Sequence, residues 1–143
     1  RHLPRYRQLG VPVITDLRPG FAGPLAGIEA CLAVSAADLL LVIPCDMPYL
    51  PDDLLPRLCH ALQPGIAVAY AADRQRAQPL LCLLRHTQAD TISQRLDRGE
   101  AGIWRWQHSI PHVEVLFDSG LENRNTPADW EHPERPDGST QSL

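Results

Sequence analysis

The sequence predicts an α/β protein with a mostly parallel sheet covered by helices, and three observations predict it. Leu39-Leu40-Leu41-Val42-Ile43 is apolar without alternation, the pattern of a strand buried on both faces. Short strand-like stretches alternate with segments whose apolar residues recur at helical spacing. Acids stand just past two of the strand-like stretches, Asp16 after residues 11–15 and Asp46 after the run at 39–43. Pro44 and Pro48 bracket Asp46, stop the strand and stiffen its loop. In open α/β sheets the carboxyl ends of strands are where ligands bind. A carboxylate there can hold a divalent cation against a phosphate, or it can simply cap a turn. The spacing leaves both readings open.

A chain of 143 residues is long enough for one domain with its own core. The apolar fraction of 44% fits a folded globular protein. A net charge of -4 and a pI near 5.8 argue against a general nucleic-acid binder, which shows a basic face. All 13 basic residues are Arg, so any phosphate contact from a basic side chain must come from Arg. Cys31, Cys45, Cys59 and Cys82 are widely spaced with no CxxC pair, which argues against zinc. Each lies in an apolar sequence context and is expected to be a free thiol in a reducing cytoplasm. No stretch reads as a signal peptide or as a membrane span, so neither a membrane nor a nucleic acid is expected as partner. The opening Arg1-His2-Leu3-Pro4 reads as the interior of a longer protein.

Taken in order, residues 2–9 fit a short helix or a connecting loop. Residues 11–15 are rich in β-branched side chains and predict a strand. A loop of turn residues follows to Gly23. Pro24 suits a first helical turn, and Leu25, Ile28, Cys31 and Leu32 predict a helix over 25–35. Gly27 within it permits close approach of a strand or a ligand; plain helix–strand packing explains it as well. The glycines at 20, 23 and 27 match neither GxGxxG nor a Walker loop. Pro51, Asp52 and Asp53 predict the start of a second helix, with Leu54, Leu55, Leu58 and Leu62 on its buried face and Pro64-Gly65 as its end. The two acids are helix-start residues rather than metal ligands. Residues 66–72 and 79–84 predict two strands joined by a polar turn. Thr87 predicts the cap of a helix to about Arg98, with Gly99 as its stop. A short helix through Ile103, Trp104 and Trp106 follows, read as packing rather than base stacking. His108 and His112 are four apart, but Pro111 between them argues against a shared helix and a metal pair. Residues 113–117 predict a strand. Thr126 or Asn125 can cap a short helix at Pro127. Residues 1–132 form the domain and 133–143 a disordered tail.

Four motifs now stand in order across roughly residues 1–130: Val13-Ile14-Thr15-Asp16, Gly23-Pro24-Leu25-Ala26-Gly27, Pro44-Cys45-Asp46-Met47-Pro48-Tyr49 and Asn125-Thr126-Pro127-Ala128-Asp129. Together they resemble the molybdenum cofactor guanylyltransferases. The resemblance implies a Rossmann-like three-layer nucleotidyltransferase fold of the nucleotide-diphospho-sugar transferase type. It implies transfer of GMP from GTP to molybdopterin or molybdenum-molybdopterin, releasing pyrophosphate. By motif, Asp16 would contact the guanine nucleotide, and Gly23, Pro24, Leu25 and Gly27 would line its side of the cleft. Asp46 would be the catalytic residue that holds Mg2+ on the phosphates and also touches the nucleotide. Asn123 and Asn125 would lie at the pterin end. Molybdoenzyme maturation proteins are implied as further partners.

The sequence departs from that family in definite places. The family opens with a Gly-rich LAGG…RMG…DK segment that supplies a Lys, and this chain is read as N-terminally truncated before it. It is therefore expected to be weakly active alone and poorly stable, with an exposed sheet edge. Gln78-Pro79 stands where His-Pro is usual, Ala101-Gly102 where a basic pair is usual, and Arg124 where an apolar residue is usual. Two other readings compete: a non-catalytic remnant or binding module of the same fold, and a molybdopterin cytidylyltransferase or sugar-nucleotide pyrophosphorylase.

Overall fold

The computed structural model describes Tyr6, Gln8, residues 10–20, residues 23–118 and Leu121. Their elements are α1 (Pro24–Val34), β1 (Leu39–Val42), α2 (Leu54–Ala61), β2 (Val68–Ala72), β3 (Ala77–Arg85), a 3-10 turn (His86–Gln88), α3 (Ala89–Asp97), α4 (Ile103–Gln107) and β4 (His112–Leu116). The four strands form one sheet in the order β1-β3-β2-β4. β3 is antiparallel to both β1 and β2, whereas β2 and β4 are parallel. Three strands therefore run the same way and β3 alone is reversed. The sheet is mixed, and its parallel majority is one of direction rather than of neighbouring pairs.

Alternation along each strand sorts the core into two layers, as a pleated strand requires. Leu40, Val42, Val68, Tyr70, Cys82 and Leu84 face α1, α3 and α4 and pack with Leu25, Ile92 and Trp106. Leu39, Leu41, Ala69, Ala71, Leu81, Leu83 and Val115 face the other way and pack with Leu54, Leu58, Met47 and Phe117. Helices on both faces of one sheet make the three-layer arrangement expected of the α/β class.

The β2–β3 hairpin closes through residues 73–76. Asp73 Oδ1 accepts from the amides of Gln75 and Arg76 at 2.7 and 2.9 Å, the local bonding that makes Asp a turn residue. Register slips within the hairpin: Tyr70 opposes Cys82, but Ala71 opposes Gln78. The intervening stretch contains Pro79, which cannot donate to a ladder, and a bulge is where such a residue fits. Arg85 closes the far end. Its guanidinium donates to the carbonyls of Ile66 and Leu62 at 2.8 and 2.9 Å, supplying partners to a helix C-terminus.

Several expectations need correction. Residues 11–15 form no strand. Val11 and Ile14 are exposed, and β-branched composition makes a strand only where a partner strand supplies the ladder. The run at 39–43 is a strand, but not one buried on both faces. β1 is half-buried along its length and Ile43 is exposed, because among the described residues only β3 pairs with it. Leu55 points to solvent, while Leu54, Leu58 and Leu62 are buried. Thr87 does not cap α3: it sits in the 3-10 turn, Gln88 holds the cap position, and no side chain caps the helix. Gly99 does end α3, with φ 74 and its amide on Leu96 O at 3.0 Å. Residues 2–5, 7 and 9, the cap at 125–127 and the tail at 133–143 lie outside the described residues.

All four cysteines are free, but they are not alike. Cys45 and Cys59 are exposed, contrary to their apolar sequence neighbours, and Cys31 is half-buried. Cys82 is wholly buried on β3, where burial pushes its thiol up to about 12. Thiolate is the reactive form, so a thiol reagent at mildly alkaline pH should label Cys45 and Cys59 rapidly and Cys82 only on unfolding. Peptide mapping after brief labelling checks this; rapid labelling of Cys82 in the folded protein would contradict its burial.

Candidate functional site

Asp16 ends an extended, unpaired segment that lies against α1. A Cβ placed on Gly27 would sit 3.8 Å from Asp16 Oδ1. An alanine there would touch the carboxylate, and a larger side chain would displace it. Gly27 thus admits a loop carboxylate to the helix surface, the close approach its lack of a Cβ allows.

The start of α1 is open. Gly23 holds the cap position at φ 77, ψ -176, a backbone region that glycine enters without strain, and Pro24 follows. No side chain caps the helix and no acid stands in its first turn. Pro24 has no N–H and the Ala26 amide donates to Gly23 O at 3.1 Å, so what an anion or water would meet here is the positive end of the helix dipole rather than a row of unpaired amides. Gly23 and Pro24 are exposed. Leu25 is 0% exposed, so its side chain belongs to the core and only its backbone can serve a ligand. A Cβ on Gly23 would lie 3.9 Å from Ala101 O, so the helix start adjoins the turn at 99–102. Ala101 in turn lines a cavity of about 520 Å³ with Arg95, Glu100, Trp104 and Arg105. Arg95 Nη2 is paired with Glu100 Oε2 at 2.9 Å and Nη1 donates to Ser109 Oγ at 3.0 Å.

Asp46 lies in the turn that follows β1 and is half-buried. Met47 beside it is 5% exposed and packs into the second core layer, so the turn is pinned by the residue next to the acid. Among the described residues no group of three or more His, Cys, Asp or Glu could hold a metal ion. A single carboxylate next to a triphosphate still fits a magnesium ion, which takes one or two carboxylates and completes its shell from phosphates and water.

Asn123 and Asn125 lie outside the described residues. Just ahead of them, Gln78 is 7% exposed and its Nε2 donates to Leu121 O at 3.3 Å. The residue that stands where His is usual is thus a buried tether between β3 and the chain after β4. His108 and His112 come close, with ring centroids 4.4 Å apart, but they share no helix: α4 ends at Gln107 and His112 opens β4. Each Nδ1 faces a backbone carbonyl, Trp104 O at 3.0 Å and Ile110 O at 2.9 Å. Tyr70 stacks on His112, and burial together with Glu114 raises its phenol.

One residue of this region escaped sequence reasoning. Arg18 donates through Nε and Nη2 to both oxygens of Glu29, at 2.8 and 2.7 Å, and through Nη1 to Asp97 Oδ1 at 2.7 Å. Its partners are 11 and 79 residues away, so no local pattern could have marked it.

The family profile described as the MobA-like NTP transferase domain matches residues 1–114. A molybdenum cofactor guanylyltransferase of Ralstonia nicotianae is 39% identical over 141 residues, covering 90% of this chain and 69% of that protein. One from Cupriavidus pinatubonensis is 40% identical over 134 residues, covering 88% of this chain and 67% of that protein. The chain thus spans about two thirds of the length of these curated relatives. Among solved structures, molybdopterin-guanine dinucleotide biosynthesis protein A of Archaeoglobus fulgidus has the same fold, with a TM-score of 0.71, 23% identity, and coverage of 92% of this chain and 72% of that one. With the profile over most of its length and curated relatives at 39% and 40% identity, the chain belongs to the MobA-like NTP transferase family.

Proposed function

We propose that the protein transfers GMP from GTP to the terminal phosphate of molybdopterin, or of its molybdenum form, releasing pyrophosphate. The observation that carries this reading is the uncapped start of α1 at Gly23-Pro24, with Asp16 lying over Gly27, in a chain related to named guanylyltransferases. In the proposed reaction an acceptor phosphate oxygen bonds to the α-phosphorus of GTP, and the bond to the bridging oxygen of the β-phosphate breaks. The acceptor is already an anion, so no side-chain nucleophile is needed. Positioning and charge neutralisation supply the rate. The positive end of the α1 dipole faces the phosphates, and Asp16 orients the nucleoside. Asp46 and the triphosphate are the ligands that would hold Mg2+, which supplies charge stabilisation on the phosphates and on leaving pyrophosphate. The pterin meets Asn123 and Asn125, and the product passes to molybdoenzyme maturation proteins in the cytoplasm. No helix among the described residues is long and apolar enough to cross a bilayer.

The test is pyrophosphate release measured with GTP or CTP, with and without molybdopterin and Mg2+. Release should require GTP, the pterin and the metal together. Release with CTP in preference to GTP would assign the cytidylyl reaction instead. The Lys-free composition favours one second reading, a non-catalytic remnant that keeps the cleft but cannot bind the triphosphate. That reading predicts neither GTP binding nor pyrophosphate release under any combination.

A further inference from the structure

The segment that carries Asp16 is tied to α1 and α3 by the side chain of Arg18. Arg18 has a side chain 23% exposed, and its fork meets Glu29 bidentately from Nε and Nη2. Nη2 also donates to Ser93 O and Ser93 Oγ, both at 3.1 Å, and Nη1 to Asp97 Oδ1 at 2.7 Å. One guanidinium thereby joins the segment before α1 to both α1 and α3. Glu29 is 8% exposed on a helix whose neighbours Leu25, Ala26, Ile28 and Ala30 are core residues. Its carboxyl is held below the usual carboxylate range, first by the hydrogen bond from Arg18. A buried carboxylate stripped of its partner is costly, so the pair resists opening. Planar bidentate geometry also fixes direction, which a Lys could not do.

Two consequences follow from this geometry. Arg18 is not a phosphate ligand, although in a chain without Lys every basic side chain is a candidate, because its donors are already committed to α1 and α3. And Asp16 is only two residues away, within about 7 Å of chain reach. The segment therefore touches α1 at two points, Asp16 over Gly27 and Arg18 on Glu29. We propose that Arg18 is a positioning residue, whose clamp on Glu29 and Asp97 fixes Asp16 for contact with the nucleotide. The proposal rests on the GTP-binding reading given above.

The experiment is a double-substitution cycle on GTP affinity, read by titrating the protein with a fluorescent GTP analogue in magnesium buffer. Arg18→Gln should weaken binding about tenfold, whereas in an Asp16→Asn background it should change binding by less than about twofold. Arg18→Lys should recover only part of the loss, since an ammonium cannot make the fork. If Arg18→Gln does not fold, Asp97→Asn serves instead. Asp97 has a side chain 65% exposed, so it loosens the clamp without burying a lone charge. It should give a smaller loss with the same dependence on Asp16. Equal losses in both backgrounds, or none in either, would overturn the clamp alone. Failure of the unsubstituted protein to bind GTP would overturn the functional reading and the clamp with it.

Discussion

Asp46→Asn is expected to cut Mg2+-dependent GMP transfer by a factor on the order of 10² to 10³, the range seen when one preorganised charge-stabilising group is lost from an active site. The expectation follows from the placement of Asp46, in a turn after β1 that Met47 pins to the core. Among the described residues no larger ligand cluster could take over the ion. Asn keeps the shape and one oxygen but loses the charge that binds a hard cation. The substitution is nearly isosteric, so the protein should still give a single cooperative thermal melt. The measurement is pyrophosphate release against Mg2+ concentration, alongside the melt. Turnover equal to the unsubstituted protein at all Mg2+ concentrations would show that the metal is held elsewhere.

Trp106→Ala is expected to cost about 3–5 kcal/mol, since Trp106 is the bulkiest fully buried side chain among the described residues. Trp106 is 0% exposed on α4 and packs against the layer of Leu25, Tyr70, Cys82 and Ile92. Removing it leaves a cavity beneath the sheet that neighbouring β2 and β3 cannot close. Against a total stability of about 5–15 kcal/mol, the loss brings the domain close to unfolding. Trp106→Phe separates packing from polarity. Among the described residues Trp106 Nε1 is buried without a hydrogen-bond partner, and Phe removes that unpaired donor while filling most of the space. Its cost should be less than half that of Ala. Urea unfolding with an unchanged m-value reads both; equal costs for Ala and Phe would mean that the ring does not fill the layer.

Much of the fold was legible because its signals are local. Pro24 and the spacing of Leu25, Ile28 and Leu32 marked α1, and the polar turn at 73–76 marked the hairpin. What escaped was set by partners distant in sequence. Among the described residues, 11–15 carry strand composition but find no ladder, and the run at 39–43 reads as central although β1 pairs there with β3 alone. The candidate site divides in the same way. Asp16 and Asp46 stood out as acids after strand-like runs and Gly27 as a point of close approach, whereas Gly23 became a site candidate only through motif resemblance, and the contact between Asp16 and Gly27 had no local signal. The spacing placed Leu25 on the buried stripe of α1, where its side chain does lie, and its part in the cleft was implied by motif resemblance alone. Arg18 offered no signal, because its partners lie 11 residues away on α1 and 75 to 79 residues away on α3.

The reversed strand β3 also governs the order in which the molecule can assemble. It closes on β2 across a short turn, and a hairpin of that kind forms in about 1–10 µs. β1 lies much farther along the chain from β3, and the connection from β3 to β4 includes α3 and α4. Loop closure of that length comes later and is slower. The hairpin is therefore the natural nucleus, and β1, whose end carries Asp46, is a late arrival. Nucleotide competence would then appear only in the final stage of folding, after most of the buried surface is already in place.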